Sequence, residues 1–233
     1  MRKLGLTLTL ITLWAAGPTH AGPLEDVQRL VAKASAAPVT FSDGTSQWIG
    51  NPFVYRTSNG KAIIVKAADL KLDTDGASKE IRACDNTSAA GTALPGPKGK
   101  PTDANITPYF VLPGCADAAN KAACKAPYKQ LGMQLGDLAT VISGDKIAFA
   151  IAADSGPEKK FGEGSIQLHR QLGHEVVGKV AGRPKCAANR SLASETYLVV
   201  FPGSNKTWLP NDRIQQEAGA LWNGLLSEEA EAK

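Results

Sequence analysis

The sequence predicts a mainly β fold with peripheral helices, built as one domain around a small barrel. Three observations carry that expectation. Apolar runs rich in Ile, Val, Phe and Tyr recur at residues 61–66, 106–112, 147–153 and 197–201, each too short for most helices and bounded by turn formers. Gly and Pro are frequent, 23 and 14 of the 233 residues, which suits a chain of many turns. The clearest helical periodicities lie near the two ends.

Residues 1–21 read as an export signal. Met1-Arg2-Lys3 is basic, residues 4–16 are apolar, and Thr19-His20-Ala21 is a small-residue cleavage site. Cleavage after Ala21 leaves residues 22–233 as a single domain, large enough for a full core. No later run reaches the ~20 apolar residues of a membrane span. The mature protein is therefore expected to be soluble, and secreted or periplasmic. Its net charge falls from +4 to about +2 once Arg2 and Lys3 leave with the signal. Basic residues are scattered without interleaved aromatics, so neither nucleic acid nor membrane is an expected partner.

Residues 24–36 place Leu24, Val27, Leu30, Val31 and Ala34 on one helical face, ended by Ala37-Pro38. Asp43-Gly44-Thr45 is a turn, and Trp48 and Tyr55 follow in short β-prone stretches. Trp48 has the flat face that stacks on a sugar ring, and equally suits a core or rim position. Residues 61–66 read as a strand, and 68–72 lead to Asp73-Thr74-Asp75-Gly76. On the EF-hand template the first and twelfth ligand positions of this motif fall on Lys71 and Arg82, so calcium is not expected. Asp73 and Asp75 either shape a turn or line a cleft.

Residues 86–103 form a long loop. Its Gly99-Lys100 lacks the earlier glycine that a phosphate loop requires. Residues 106–112 follow as a strand, and 135–142 as a helix or strand, with Asp145 in the next turn. The run from Ile147 to Ala153 is then a buried strand with Asp154 at its exit. Gly156 and Pro157 break the chain, and Gly162-Glu163-Gly164 leads to a second apolar alternation at Ile166 and Leu168, read as another strand. Two carboxylates, Asp154 and Glu163, thus flank one loop. Partial desolvation at a strand exit raises a carboxyl pKa toward the range useful for an acid. The simpler alternative is a turn-capping Asp and a solvated Glu.

Residues 172–180 read as helical at first, and 197–203 as a strand. Ile214, Ala218, Leu221, Trp222 and Leu225 form one face of a C-terminal helix over 213–226, followed by a frayed tail at 227–233.

Four cysteines in an exported chain imply two disulfides. Cys115–Cys124 closes a short loop and is the favoured pairing, leaving Cys84–Cys186. No C-x-x-C pair exists, and His169 and His174 lack ligand spacing, so no metal and no other cofactor is expected. A G-x-S-x-G motif is absent, and no free thiol remains for a Cys–His pair.

Ala152-Ala153-Asp154-Ser155-Gly156, then Gly162-Glu163-Gly164-Ser165-Ile166, resembles the G-D-T-N-G … G-E-A-S-I signature of the fungal-type chitosanases, glycoside hydrolase family 75. Leu70-Lys71-Leu72-Asp73-Thr74-Asp75-Gly76-Ala77 is similar to that family's M-D-I-D-C-D-G-A. Asn105-Ile106-Thr107-Pro108-Tyr109-Phe110-Val111-Leu112 is similar to its N-I-x-P-Y-V-V-F. The motifs keep the family's order within residues 63–203. Ser155 and Pro157 depart from its Thr and Gly-rich turn, and the residues from Ala77 onward lack its cysteine pattern.

The resemblance implies a secreted endo-acting hydrolase that cleaves β-1,4 links in chitosan with inversion. Asp154 and Glu163 would be its catalytic pair; either could be the acid by sequence, and the better desolvation of a strand exit favours Asp154. Asp73, Asp75, Trp48 and Tyr109 would lie on the substrate side, and a polysaccharide would be the partner of a monomer. Residues 152–156 also resemble the A-x-D-T-G-G segment of double-psi β-barrel glycosidases, which include the peptidoglycan lytic transglycosylases. That likeness implies a six-stranded double-psi-like β-barrel. Peptidoglycan cleavage is the alternative within the enzyme class, and a non-catalytic polysaccharide-binding protein the alternative outside it.

Overall fold

The structure is a computed structural model and describes residues 22–45, 52–85, 88–118 and 120–231. The expected export signal at 1–21 and the candidate platform Trp48 lie outside the described residues. In chain order the elements are α1 (Pro23–Lys33), β1 (Ser35–Ala36), β2 (Phe53–Thr57), β3 (Gly60–Ala67), β4 (Leu70–Asp73) and α2 (Lys79–Arg82). They continue with β5 (Tyr109–Pro113), α3 (Pro127–Gln130), β6 (Leu138–Ser143), β7 (Lys146–Gly156), β8 (Glu163–Ser165) and α4 (Ile166–Gln171). Then come β9 (Val177–Val180), β10 (Arg183–Cys186), β11 (Ser191–Leu192), β12 (Thr196–Phe201) and α5 (Asn211–Glu231).

Ten strands join in one sheet, in the order β1-β2-β3-β12-β6-β7-β5-β8-β4-β11, and β9 and β10 form a separate hairpin. Neighbours are antiparallel except the pairs β5–β7 and β4–β8. The mainly β expectation holds, but the closed six-stranded double-psi-like barrel is corrected: the sheet is open. Its edges are β1 and β11, two residues each, and they do not pair with one another. Closure needs a continuous ladder between the edges, which strands this short do not offer.

Period-two alternation sorts the central strands between cores. Ile63 and Val65 of β3, Ala148, Ala150 and Ala152 of β7, and Leu198 and Val200 of β12 share one core with Phe110 and Leu112. The alternate residues Ala62, Ile64, Tyr197 and Val199 pack on Val27 and Leu30 of α1 and on Trp222 and Leu225 of α5. Tyr109, Val111, Ile151 and Ala153 face a third core with Ile214 and Ala218 of α5. Strands covered on both faces read as unbroken apolar runs, which is why they were legible.

Three local expectations change. Ile166 and Leu168 lie on α4, not on a strand, because the Ser165 side chain accepts a hydrogen bond from Leu168 N (3.1 Å) and caps a helix there. Residues 172–180 therefore follow a helix and end in β9. The C-terminal tail is helical to Glu231, since Glu229 is buried and ion-paired with Arg29 (3.3 Å) and Lys33 (2.5 Å) of α1.

Both expected disulfides are present, with sequence separations of 102 for Cys84–Cys186 and 9 for Cys115–Cys124. Loop-closure entropy grows with separation, to about 4.7 kcal/mol for a ~100-residue loop against about 3 kcal/mol or less for a short one. Replacing Cys84 and Cys186 by Ser is thus expected to lower the urea midpoint more than replacing Cys115 and Cys124. Equal losses would contradict this.

Candidate active site

The site begins at an irregularity in β7. Phe110 of β5 pairs with Ala152, but the next residue, Val111, pairs with Asp154, so Ala153 is an extra residue in β7. Such a bulge reverses the facing of the residues beyond it. It turns Asp154 to the side of Tyr109 and Val111, where strict alternation would have put it on the opposite face. The carbonyl of Ala153 accepts from Leu94 N (2.7 Å), and one Asp154 carboxylate oxygen accepts from Ala93 N (3.1 Å) and Ser155 N (2.7 Å). Ala93 and Leu94 therefore hold the Asp154 carboxyl and the bulge.

Glu163 opens β8, on the far side of β5. Phe110 pairs with Gly164 in antiparallel sense, which brings Val111 and Glu163 next to each other along the ladder. Asp154, Val111 and Glu163 thus form one row across three strands, with the buried Val111 as its floor. Gly156 shares Asp154's face, two residues on. A Cβ on Gly156 would sit 3.4 Å from Glu163 Oε2 and 3.2 Å from Val111 Cγ1. The Glu163 carboxylate therefore lies over Gly156, two residues along β7 from Asp154, a backbone rise of roughly 6–7 Å. Lys160, three residues before it, is its ion-pair partner.

Asp73 ends β4 beside β8, in register with Ser165. Its Oδ1 accepts from Asp75 N (2.9 Å), while Asp75 Oδ1 accepts from Ala89 N and the Tyr109 hydroxyl donates to Asp75 O (3.1 Å). Gly76 completes the turn at φ +74°, and a Cβ there would stand 2.1 Å from Thr102 O, so only glycine fits. The aspartates shape this turn, and the turn stands beside Asp154. Carboxylate oxygens of Asp73, Asp75 and Asp154 all lie within 4.8 Å of one another.

Burial and mutual repulsion dominate the electrostatics. Asp73 is 7% exposed, and burial first, then the charge of Asp75, pushes its carboxyl up to about 8. Burial also raises Asp75 to about 7, assisted by its hydrogen bond to Asp154 and opposed by the Ala89 N–H. Asp154, 8% exposed, is raised by burial against the lowering pull of Ser155 N–H. Tyr109 is fully buried and held well above its usual range, by burial and then by the neighbouring aspartates. Three carboxylates at this spacing have the reach to hold a cation. With no counter-ion beside them among the described residues, burial raises all three carboxyls toward their protonated forms.

The fold thus brings together Asp154, Glu163, Asp73, Asp75 and Tyr109, while Trp48 lies outside the described residues. Sequence reasoning missed Lys160 and the amides of Ala89, Ala93 and Leu94. Lys160 carried a signal, a cation three residues before Glu163. The loop amides carried none, since backbone donors have no residue-type signature.

Two comparisons with known proteins bear on the site. The sequence model of the fungal chitosanases of glycosyl hydrolase group 75 matches residues 70–223, a stretch that contains all five of these residues. No curated protein matches the chain.

The raised Asp73 has a measurable consequence. The folded protein keeps this proton up to about pH 8, whereas the unfolded chain releases it near the ordinary ~3.9. Between those values the native state binds more protons, so stability falls as pH rises. Asp73→Asn removes the effect and keeps the acceptor for Asp75 N. Its melting point is expected to gain on the natural protein between about pH 4 and pH 8 and to run parallel outside that window. A difference independent of pH would contradict the assignment.

Proposed function

The chain belongs to the fungal chitosanases of glycosyl hydrolase group 75, and from that membership we propose that it cleaves β-1,4 links within chitosan by an inverting two-carboxylate mechanism. The observation that carries this reading is the Asp154–Val111–Glu163 row, in which the Glu163 carboxylate lies over Gly156, two residues along β7 from Asp154, rather than beside the Asp154 carboxyl. An inverting pair stands ~6.5–9.5 Å apart, leaving room for water beneath the sugar, whereas a retaining pair is closer, at ~5–5.5 Å.

In this mechanism Asp154 is the acid. Its burial favours the protonated form, and it delivers that proton to the glycosidic oxygen as the C–O bond breaks and the bonding electrons leave with the oxygen. Glu163 is the base, ion-paired with Lys160 until substrate arrives. It takes one proton from a water whose oxygen bonds to the anomeric carbon from the opposite face. Val111 and Gly156 offer a flat, uncharged floor between the two, and a larger residue at Gly156 would crowd Glu163.

Chitosan carries an amine on most of its sugars, and an acidic wall complements it. Asp75, half-buried, is the aspartate of the turn that meets the substrate edge; Asp73 and Tyr109 support it from behind. Trp48 is the proposed stacking platform. The segment leading to it, residues 41–45, is fastened to the loop between Asp154 and Glu163 by Ser42–Glu158 (2.6 and 2.7 Å) and by the Lys159–Asp43 ion pair. We further propose that residues 22–233 act as a single-domain monomer, exported after cleavage at Ala21. Two disulfides suit that destination.

Asp154→Asn and Glu163→Gln are each expected to lower the release of reducing ends from chitosan by about 10²–10⁴-fold. Melting points should stay near that of the natural protein. Chitin, cellulose and peptidoglycan, assayed alongside, are expected to be poorer substrates. Two active variants would overturn the catalytic pair, and faster turnover of peptidoglycan would overturn the substrate.

A further inference from the structure

Carboxylate oxygens of Asp75 and Asp154 lie within 4.8 Å of one another, with Asp154 buried and Asp75 half-buried. Two ionised carboxylates so close repel, and a proton on one of them both relieves the repulsion and supplies the donor that two ionised groups lack. Among the described residues, the titratable groups that bear on Asp75 are Asp154 on β7, Asp73 at the end of β4, Asp85 after α2 and Tyr109 on β5. Lys160 is engaged by Glu163. Backbone donors are divided between the partners, Ala89 N to Asp75 and Ala93 N and Ser155 N to Asp154. Each carboxyl is thus held in place independently, and the shared proton joins them.

Building on the reading of Asp154 as the acid, we propose that Asp75 and Asp154 form a one-proton dyad, in which Asp75 is the positioning residue that keeps the catalytic proton at Asp154. Two interacting carboxyls lose their protons in two steps that belong to the pair, and the second step is raised by the charge left by the first. The burial that lifts both groups works in the same direction. When Asp154 gives its proton to the leaving oxygen, the dyad is left doubly ionised in a buried acidic site. That state draws a proton back from solvent, while Glu163 releases the one it took from the attacking water, so the protons balance over one turnover. The dyad keeps the acid loaded at a pH where a lone aspartate would be empty.

The test is the pH profile of kcat/KM on chitosan for the natural protein and Asp75→Asn. The asparagine retains an oxygen for Ala89 N and offers an N–H to Asp154, but brings neither charge nor shared proton. An N–H donor and the loss of the neighbouring charge both favour ionised Asp154, so its pKa falls. Since the acid must be protonated, the alkaline limb is expected to move to lower pH by about one unit or more. kcat should fall at neutral pH, beyond any rise in KM from the lost substrate contact. A raised KM with an unmoved limb would reduce Asp75 to a substrate contact, and a lowered melting point with an unmoved limb would reduce it to a turn former. Either result overturns the dyad.

A second measurement does not depend on the variant folding. Side-chain carbon-13 NMR of the natural protein, labelled at Asp, is expected to show two coupled carboxyl titrations, the upper one near neutral pH. Independent titrations in the ordinary Asp range would also overturn the dyad. Failure of the underlying reading looks different, because Asp154→Asn would then stay active. Inactive Asp154→Asn with an unmoved limb in Asp75→Asn removes the dyad alone.

Discussion

Three carboxyls crowded within 4.8 Å impose the constraint to which the rest of the site responds. Two unit charges at that distance repel by about 3–4 kcal/mol at an effective dielectric of ~20. A single such pair would consume a large share of a typical domain's ~5–15 kcal/mol of stability. Protons on the cluster relieve that repulsion. That is the direction in which Asp73, Asp75 and Asp154 all move, with burial as the leading cause for each. A site that favours protons is already suited to donate one. Glu163 differs in having Lys160 as counter-ion, and that contrast in surroundings is the basis for the different roles proposed for it and Asp154.

Geometry is kept by the segments around the loop that joins the two sides. Glu158 accepts from Ser42 N and Oγ, its own N–H donates to Asp117 Oδ1 (2.6 Å), and Lys159 pairs with Asp43. Asp117 lies within the segment closed by Cys115–Cys124. One strand–loop–strand unit is therefore anchored to an N-terminal turn and to a disulfide-closed loop, which limits how far Asp154 and Glu163 can drift. Fixed spacing of this kind lets a carboxyl pair act without reorganisation at each turnover.

Much of this was legible in the residues. Asp154 and Glu163 stood out because each sits where an apolar run meets a turn, and Asp73 and Asp75 because a strand runs directly into them. The bulge was not legible, because the extra residue, Ala153, is one more alanine in an unbroken apolar run. Only its pairing with β5 sets it apart. Nor was the open sheet, since closure depends on whether β1 and β11 reach each other, which no local pattern records. The Glu-rich end of α5 read as a solvated tail because its stabilising partners, Arg29 and Lys33, lie about 200 residues away. The shared proton was hidden for the same reason, as the turn at Asp75 and the strand at Asp154 meet only in the fold.

The central claim is that the Asp154–Glu163 spacing leaves room for a water between base and sugar. Proton NMR of the first reducing ends released from chitosan, recorded before mutarotation, tests it most directly. Inversion at a β-linkage is expected to give α-anomers first, with β-anomers growing in afterwards. Initial β-anomers would mean a covalent glycosyl intermediate, and would contradict both the spacing and the roles assigned to the two carboxylates.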